Sequence, residues 1–277
     1  MRAKRYSPIT YIFLYLIAAI ALVWALTPIV WMILSSFKTQ AGMLKMPPKL
    51  FFEPNFDTYE FMFSPKGGFF HFLRNSIIAS VTSMTIAVVL GAFGGYALAR
   101  WKISGKKHLA FWVISTRMAP IPAVILPLYL MFANVNVLGT FPAIFFAYTT
   151  FNLPFAIWMM MVFFSDVPEV LEESAIIDGA TKFQAFWHIA LPVATPGIVA
   201  TGVLCLMFAW NDFLFASIFT SKATQTIPVA ASLLVSQTGI KWGQAMATGT
   251  VIITPMLIGG LAVRRYLVRG LSMGAVK

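Results

Sequence analysis

The sequence predicts an all-α membrane protein of six transmembrane helices with both termini in the cytoplasm. Three observations predict it. Of the 277 residues, 59% are hydrophobic and only 10% charged, with a mean hydropathy of +0.82, whereas soluble domains carry about 25% charged residues. The apolar residues gather into six runs long enough to cross a bilayer. The Lys and Arg residues stand at the ends of those runs, concentrated in alternate connections.

A transmembrane helix needs about 20 mostly apolar residues, and runs of that kind fall near 10–34, 75–99, 109–132, 141–164, 197–219 and 246–263. The first follows Arg2, Lys4 and Arg5, like the start of a secretory signal. Its charge-free stretch, 6–37, far exceeds the roughly 7–15 residues of a signal's apolar core, so it is expected to stay as a span. The third and fourth share one charge-free stretch, 118–165, punctuated by Asn134, Asn136, Gly139 and Pro142, which favour two helices and a tight turn. The third also holds Pro120, Pro122 and Pro127. Such breaks are tolerated in lipid where protein or a water-filled cavity satisfies the freed backbone. A bundle around a pathway is therefore expected, with ordinary packing kinks as the alternative.

Orientation follows from the basic residues. The N-terminal segment, the 100–108 loop (Arg100, Lys102, Lys106, Lys107) and the C-terminal end (Arg264, Arg265, Arg269, Lys277) fall on one side of a six-span chain, and the charge bias makes that side cytoplasmic. Lys38, Lys45, Lys49 and Lys66 lie on the opposite side, accompanied by Glu53, Asp57 and Glu60. The net charge of +11 thus reflects topology and not a nucleic-acid stripe. Cys205 is the only cysteine and reads as a small buried filler. His71, His108 and His188 lie in three different segments, and Met159, Met160 and Met161 read as packing, so no metal site is expected. No catalytic constellation is found either, which argues against a membrane enzyme.

The 165–196 stretch differs from the rest. It holds Asp166, Glu169, Glu172, Glu173 and Asp178, five of the protein's nine acids, against a single Lys182. Ser165 or Asp166 can cap a helix begun by Pro168 and Glu169, with Val170, Leu171, Ala175 and Ile176 as its apolar stripe. Asp178-Gly179 breaks it. Thr181 can cap a second helix bearing Phe183, Phe186, Trp187 and Ile189, which Leu191-Pro192 should stop. Two short helices, apolar on one side and acidic on the other, form a knob that needs a groove on a partner. A secondary transporter, the main rival reading, would show inverted repeats and charged relays and has no use for this knob.

The run Glu173-Ser174-Ala175-Ile176-Ile177-Asp178-Gly179, nine residues, then Ile189-Ala190-Leu191-Pro192 resembles the coupling loop of ABC-importer permeases. That pattern is E-A-A, three residues, G, nine residues, I-x-L-P, and only Ser174 departs from it. The resemblance implies a type I ABC-importer permease fold over a single domain, 1–277. It places Glu172, Glu173, Ala175, Asp178, Gly179, Ala180, Ile189 and Pro192 at the coupling surface with a separate ATPase. Phe37-Lys38, Asn75-Ser76, Pro127-Leu128-Tyr129, Trp210-Asn211-Asp212-Phe213 and the tail from Gly270 to Lys277 are similar to the carbohydrate branch, in particular to the smaller permease subunit of maltose-type importers. The 264–277 tail, through Gly270, Leu271, Gly274 and Lys277, would then reach the ATPase pair.

No G-x-x-x-x-G-K-[ST] phosphate loop occurs in the chain. ATP and Mg are expected on the ATPase, a homodimer or pair, alongside a second, unlike permease and an extracytoplasmic solute-binding protein. Sugar, polyol, glycosyl-glycerol, sulfosugar and glycerol phosphate all fit as solutes. Arg117 and Asp212 are full charges at membrane depth and so candidates for the pathway, with Trp210 and Asn211 beside Asp212 and with Tyr148 and Asn152 in the fourth span. The alternatives are an Arg117–Asp212 ion pair, Asp212 bonding loop backbone, and Asn152 joining helices.

Overall fold

The structure, a computed structural model, describes residues 7–236 and 239–273. In chain order its helices are α1 (Pro8–Ser36), α2 (Gln40–Met43), α3 (Asp57–Phe63), α4 (Phe69–Arg100), α5 (Lys106–Thr116), α6 (Ile121–Asn134), α7 (Phe141–Ser165), α8 (Glu169–Ile177) and α9 (Lys182–Ala185). A π-turn (Phe186–Ala190) leads into α10 (Leu191–Val193), α11 (Thr195–Trp210), α12 (Leu214–Phe219) and α13 (Ile227–Ser232). Two two-residue strands, β1 (Val235–Ser236) and β2 (Gly239–Ile240), pair antiparallel before α14 (Trp242–Met273).

Among the described residues, four helices are individually long and apolar enough to span a bilayer: α1, α4, α7 and the Trp242–Ala262 part of α14. They coincide with the first, second, fourth and sixth runs of the sequence. The third run is not one straight helix. It breaks between α5 and α6 with a bend of 85°, because Pro120 and Pro122 offer no backbone donors and disfavour helical residues before them. The fifth run is likewise interrupted: α11 ends at Trp210, Asn211 and Asp212 intervene, and α12 resumes. The final helix runs past the expected span to Met273, so Gly270 and Leu271 lie on it, while Gly274 and Lys277 lie outside the described residues.

The chain groups by contact into two compact units, residues 1–68 with 233–253, and 69–232 with 254–277. In the first, Ser7 caps α1 by accepting from Thr10 N, and Pro8 opens the helix. Lys38 is buried there, its Nζ 4.5 Å from the Trp31 ring centre and 2.8 Å from the Lys49 carbonyl, to which it donates. Gln40 Nε2 donates to Ile240 O at 3.0 Å and so ties α2 to the strand pair. In the second unit α4 and α7 form the central pair and α11 packs on both. Asn152 Nδ2 donates to the Cys205 carbonyl at 3.1 Å, joining α7 to α11 in the manner expected of a polar residue in an apolar bundle. Asn75 and Ser76 bond the backbone of residues 223–227, Asn75 Nδ2 donating to Ala223 O and Gln225 O at 3.0 Å each.

Candidate functional site

The 165–196 segment folds into the two short helices that its sequence predicts, with changes at their ends. Ser165 completes α7, donating to Met161 O, and neither it nor Asp166 caps α8; the N-cap is Pro168, with no side-chain bond. At the other end of α8, Ala180 N donates to Ala175 O at 2.9 Å and Gly179 N to Ile176 O at 3.0 Å. This six-to-one and five-to-two pair of bonds closes the helix around a residue of positive φ, and Gly179 has φ +95°. Ala175 and Ala180 thus serve the bend through their backbones. Thr181 Oγ1 then accepts from Gln184 N, and Gln184 Oε1 accepts in return from Thr181 N, a reciprocal cap for α9. Leu191-Pro192 does not stop this helix. Pro192 cannot donate to the carbonyl four residues back, and the chain widens into the π-turn before it; the run ends at Ala194 with a 74° bend into α11.

Glu173, Asp178, Gly179 and Pro192 are exposed, and Ile189 is half-buried. Ile177 is 86% exposed, Phe183 63% and Trp187 51%, so apolar side chains stand among acids with nothing among the described residues covering them. Glu172 behaves otherwise. It is only 6% exposed; its Oε1 accepts from Arg100 Nε at 2.7 Å and its Oε2 from Tyr96 Oη at 2.5 Å. Arg100 Nη2 lies 2.6 Å from the same Oε1 and also donates to Val167 O at 2.8 Å. Glu172 therefore leaves the set of residues offered to a partner, because a buried carboxylate requires its own charge partner and Arg100 supplies it internally.

The expected pathway residues converge in part. Tyr148, Asn152, Asn211 and Asp212 line one cavity of about 360 Å³, with the rings of Phe151 and Phe208. Trp210 is buried and is not among its lining residues. Arg117 stands beside it, its guanidinium 4.8, 4.6 and 4.1 Å from the ring centres of Phe151, Phe155 and Phe208. Such contacts are worth about 0.5–2 kcal/mol each and neutralise part of the cost of a cation at this depth. Arg117 and Asp212 form no ion pair. Asp212 Oδ1 instead accepts from Ala216 N at 3.2 Å, holding the start of α12. Asp212→Asn, which keeps an acceptor, is expected to unfold at the wild-type temperature, and Asp212→Ala to lose about 1 kcal/mol, the usual cost of a missing cap, as read by thermal unfolding in detergent. Equal loss in both would assign Asp212 a role through its charge.

Among the described residues, no group of three or more His, Cys, Asp or Glu is placed to hold a metal. In the sequence Arg100 reads only as one of the topology charges of the 100–108 loop and Tyr96 carries no signal; what could have singled out Arg100 is its place closing an apolar run in a protein whose acids cluster in one loop.

Residues 87–273 match the family described as binding-protein-dependent transport system inner membrane component. The chain is 34% identical to the probable ABC transporter permease protein y4oR of Sinorhizobium fredii, over 91% of this chain and 90% of that one. It is 35% identical to the trehalose transport system permease protein SugB of Mycobacterium tuberculosis, over 92% and 93%, and 30% identical to the sulfoquinovosyl glycerol transport system permease protein SmoH of Agrobacterium fabrum, over 95% and 93%. In fold it resembles a chain of a bacterial ABC transporter that imports the acidic polysaccharide alginate, with TM-score 0.77, 21% identity, and coverage of 95% of this chain and 99% of that one.

Proposed function

Since the chain belongs to the family of binding-protein-dependent transport system inner membrane components, transporter subunits and not enzymes, we propose that it is one of two unlike permeases in an ATP-driven importer. The solute is a sugar, polyol or sugar derivative, delivered by an extracytoplasmic binding protein. The transport named for its relatives, of trehalose and of sulfoquinovosyl glycerol, supports that class. So does the cavity, where Asn152, Asn211 and Asp212 offer groups for hydroxyls beside the apolar faces of Phe151 and Phe208.

The exposed apolar and acidic knob at 169–192 carries this reading. In it, the knob faces the cytoplasm, where an ATPase pair closes on ATP and Mg; the closing pulls the loops of the two permeases together, and the cavity turns outward. Glu173 and Asp178 meet the ATPase, and the 264–277 tail, through Gly270, Leu271, Gly274 and Lys277, reaches toward it. The four exposed acids of the loop, Asp166, Glu169, Glu173 and Asp178, make a docking site on an anionic leaflet unfavourable, which leaves a protein groove as the partner.

Co-purification tests it. Tagged wild-type chain, co-expressed with the second permease and the ATPase, is expected to retain the ATPase, and Glu173→Ala to lose about tenfold in retained ATPase, a loss of roughly 1.4 kcal/mol and so a moderate interface anchor. Failure of the ATPase to bind wild type overturns the reading; equal binding by the variant removes Glu173 from the docking surface.

A further inference from the structure

We propose that Arg100 is a positioning residue for coupling: through Glu172 and Tyr96 it clamps the 165–196 loop to the end of α4, so that α4 moves with the docked loop. The inference rests on the loop docking to an ATPase, as proposed above.

The loop is joined through the chain to α7 on one side and α11 on the other. Its ionic connection to α4 is made at Glu172, by side chains 72 and 76 residues distant in sequence. Both carboxylate oxygens of Glu172 are used by groups one turn apart on α4, Oε1 by Arg100 and Oε2 by Tyr96. Arg100 fixes the entry to α8 as well, by donating to the Val167 carbonyl. One guanidinium thus orients two parts of the loop, Nε and Nη2 both on Glu172 and Nη2 also on Val167, in a fixed planar fork that an ammonium lacks. The second arm is gripped too. The Tyr96 ring lies 4.6 Å from that of Phe186 in the π-turn and 5.4 Å from that of Phe164 at the end of α7, and Phe93 lies 5.4 Å from Phe186. Residues 93, 96 and 100 form one face of α4, and that face holds both helices of the loop. Glu169, 3.9 Å from Arg100 and largely exposed, adds only a rim contact.

A buried ion pair is a poor source of stability, since apolar residues of similar volume often hold a fold as well or better. What the pair adds is direction: α8 has one pose on α4 while the pair is intact. Charge pairing therefore separates a clamp from mere filling.

The complete transporter, with both permeases and the ATPase pair, is labelled with nitroxides at Leu90→Cys on α4 and Val170→Cys on α8, both exposed in the wild type and outside the Ile177, Phe183 and Trp187 patch; Cys205 is fully buried and stays unlabelled. The label distance is read without nucleotide and with ATP trapped by vanadate. In wild type the distance is expected to be unchanged between the two states and narrowly distributed. In Arg100→Lys and Glu172→Gln it is expected to shift and broaden on trapping, with the ATPase still bound. Arg100→Met/Glu172→Met is expected to unfold at or above the wild-type temperature and yet show the same shift. If that double variant keeps the wild-type distance in both states, the pair is filling and the proposal fails. Should the charge variants not accumulate, Tyr96→Phe, which removes one hydrogen bond and no packing, decides: broadening on trapping supports the clamp, and a wild-type distribution overturns it. An ATPase absent from the wild-type complex overturns the docking itself, and is seen before any label is read.

Discussion

Gly95→Ala is expected to destabilise the chain by about 3 kcal/mol, the upper end of overpacking costs, while Gly94→Ala one position earlier leaves it within about 0.5 kcal/mol of wild type, as ordinary tolerated changes do. A Cβ at Gly95 would stand 2.5 Å from Met160 Cβ, 2.6 Å from Met161 N and 2.8 Å from Met160 C. Two of those atoms are backbone of α7 and have no rotamer to escape into. At Gly94 the nearest atom is the Ile157 Cγ1, 3.1 Å away on a movable side chain. Gly91, one turn before Gly95, meets the same wall, with Ala156 Cβ at 2.6 Å and its carbonyl carbon at 3.0 Å. The two glycines form a G-x-x-x-G ridge that lets α4 and α7 approach closely, and in lipid, where apolar helices gain nothing from leaving water, close approach is the main source of association. Yield of monodisperse protein in detergent and its unfolding temperature read the result. Wild-type behaviour of Gly95→Ala would mean that α4 and α7 stand further apart than described.

The spans were legible because lipid selects on length and apolarity, which are visible residue by residue. Four of the six expected runs are single helices; the third is a bent pair, and the fifth is broken after Trp210 into α11 and α12. The prolines announced a break in the third run but not its angle, which depends on the packing of α6. The ridge at Gly91 and Gly95 could have been read from its spacing, yet glycine in an apolar run signals a break as readily as a contact. The 165–196 loop was legible as two helices and a bend, since caps and turns are local. The partner of Glu172 was not: among five acids in one loop, nothing local tells which carboxylate turns inward toward an Arg 72 residues away. The setting of Arg117 was hidden for a different reason. The chain has 26 Phe residues, and no local feature singles out the three whose rings surround that guanidinium. Between residues 38 and 68, α2, α3 and their bonds escaped a reading tuned to long apolar runs, because short helices there are fixed by contacts such as that of Tyr59 Oη with Ser36 Oγ at 2.7 Å.

Gly179→Val is expected to leave the fold intact and to disable coupling, the reverse of the Gly95 change. Nothing lies within 4 Å of a Cβ built on Gly179, so no collision arises. The difficulty is conformational: φ is +95°, a region that a β-branched residue enters at a cost of about 1–3 kcal/mol. The bonds that close α8 demand this φ, and the strain is relieved by rotating the 179–181 bend and with it the direction of α9. Because α8 is held on α4 by an ion pair and the second helix only by ring contacts through Phe186, relief falls on the second helix and moves Phe183 and Trp187, its exposed ring pair. A knob with its two halves at a new angle no longer matches a groove shaped for the old one. The unfolding temperature is expected to fall by only a few degrees, as a change of about 1–2 kcal/mol produces in a chain of this length. Retained ATPase is expected to fall about tenfold or more, the equivalent of 1.4 kcal/mol or greater at the interface. Gly179→Asn, whose side chain tolerates positive φ far better than valine, should recover most of it. A valine variant that binds and stimulates the ATPase as wild type does would show that the bend angle is not what the partner reads. If asparagine and valine fail alike, the partner requires the bare backbone at 179, in direct contact, and the groove must close over the bend itself.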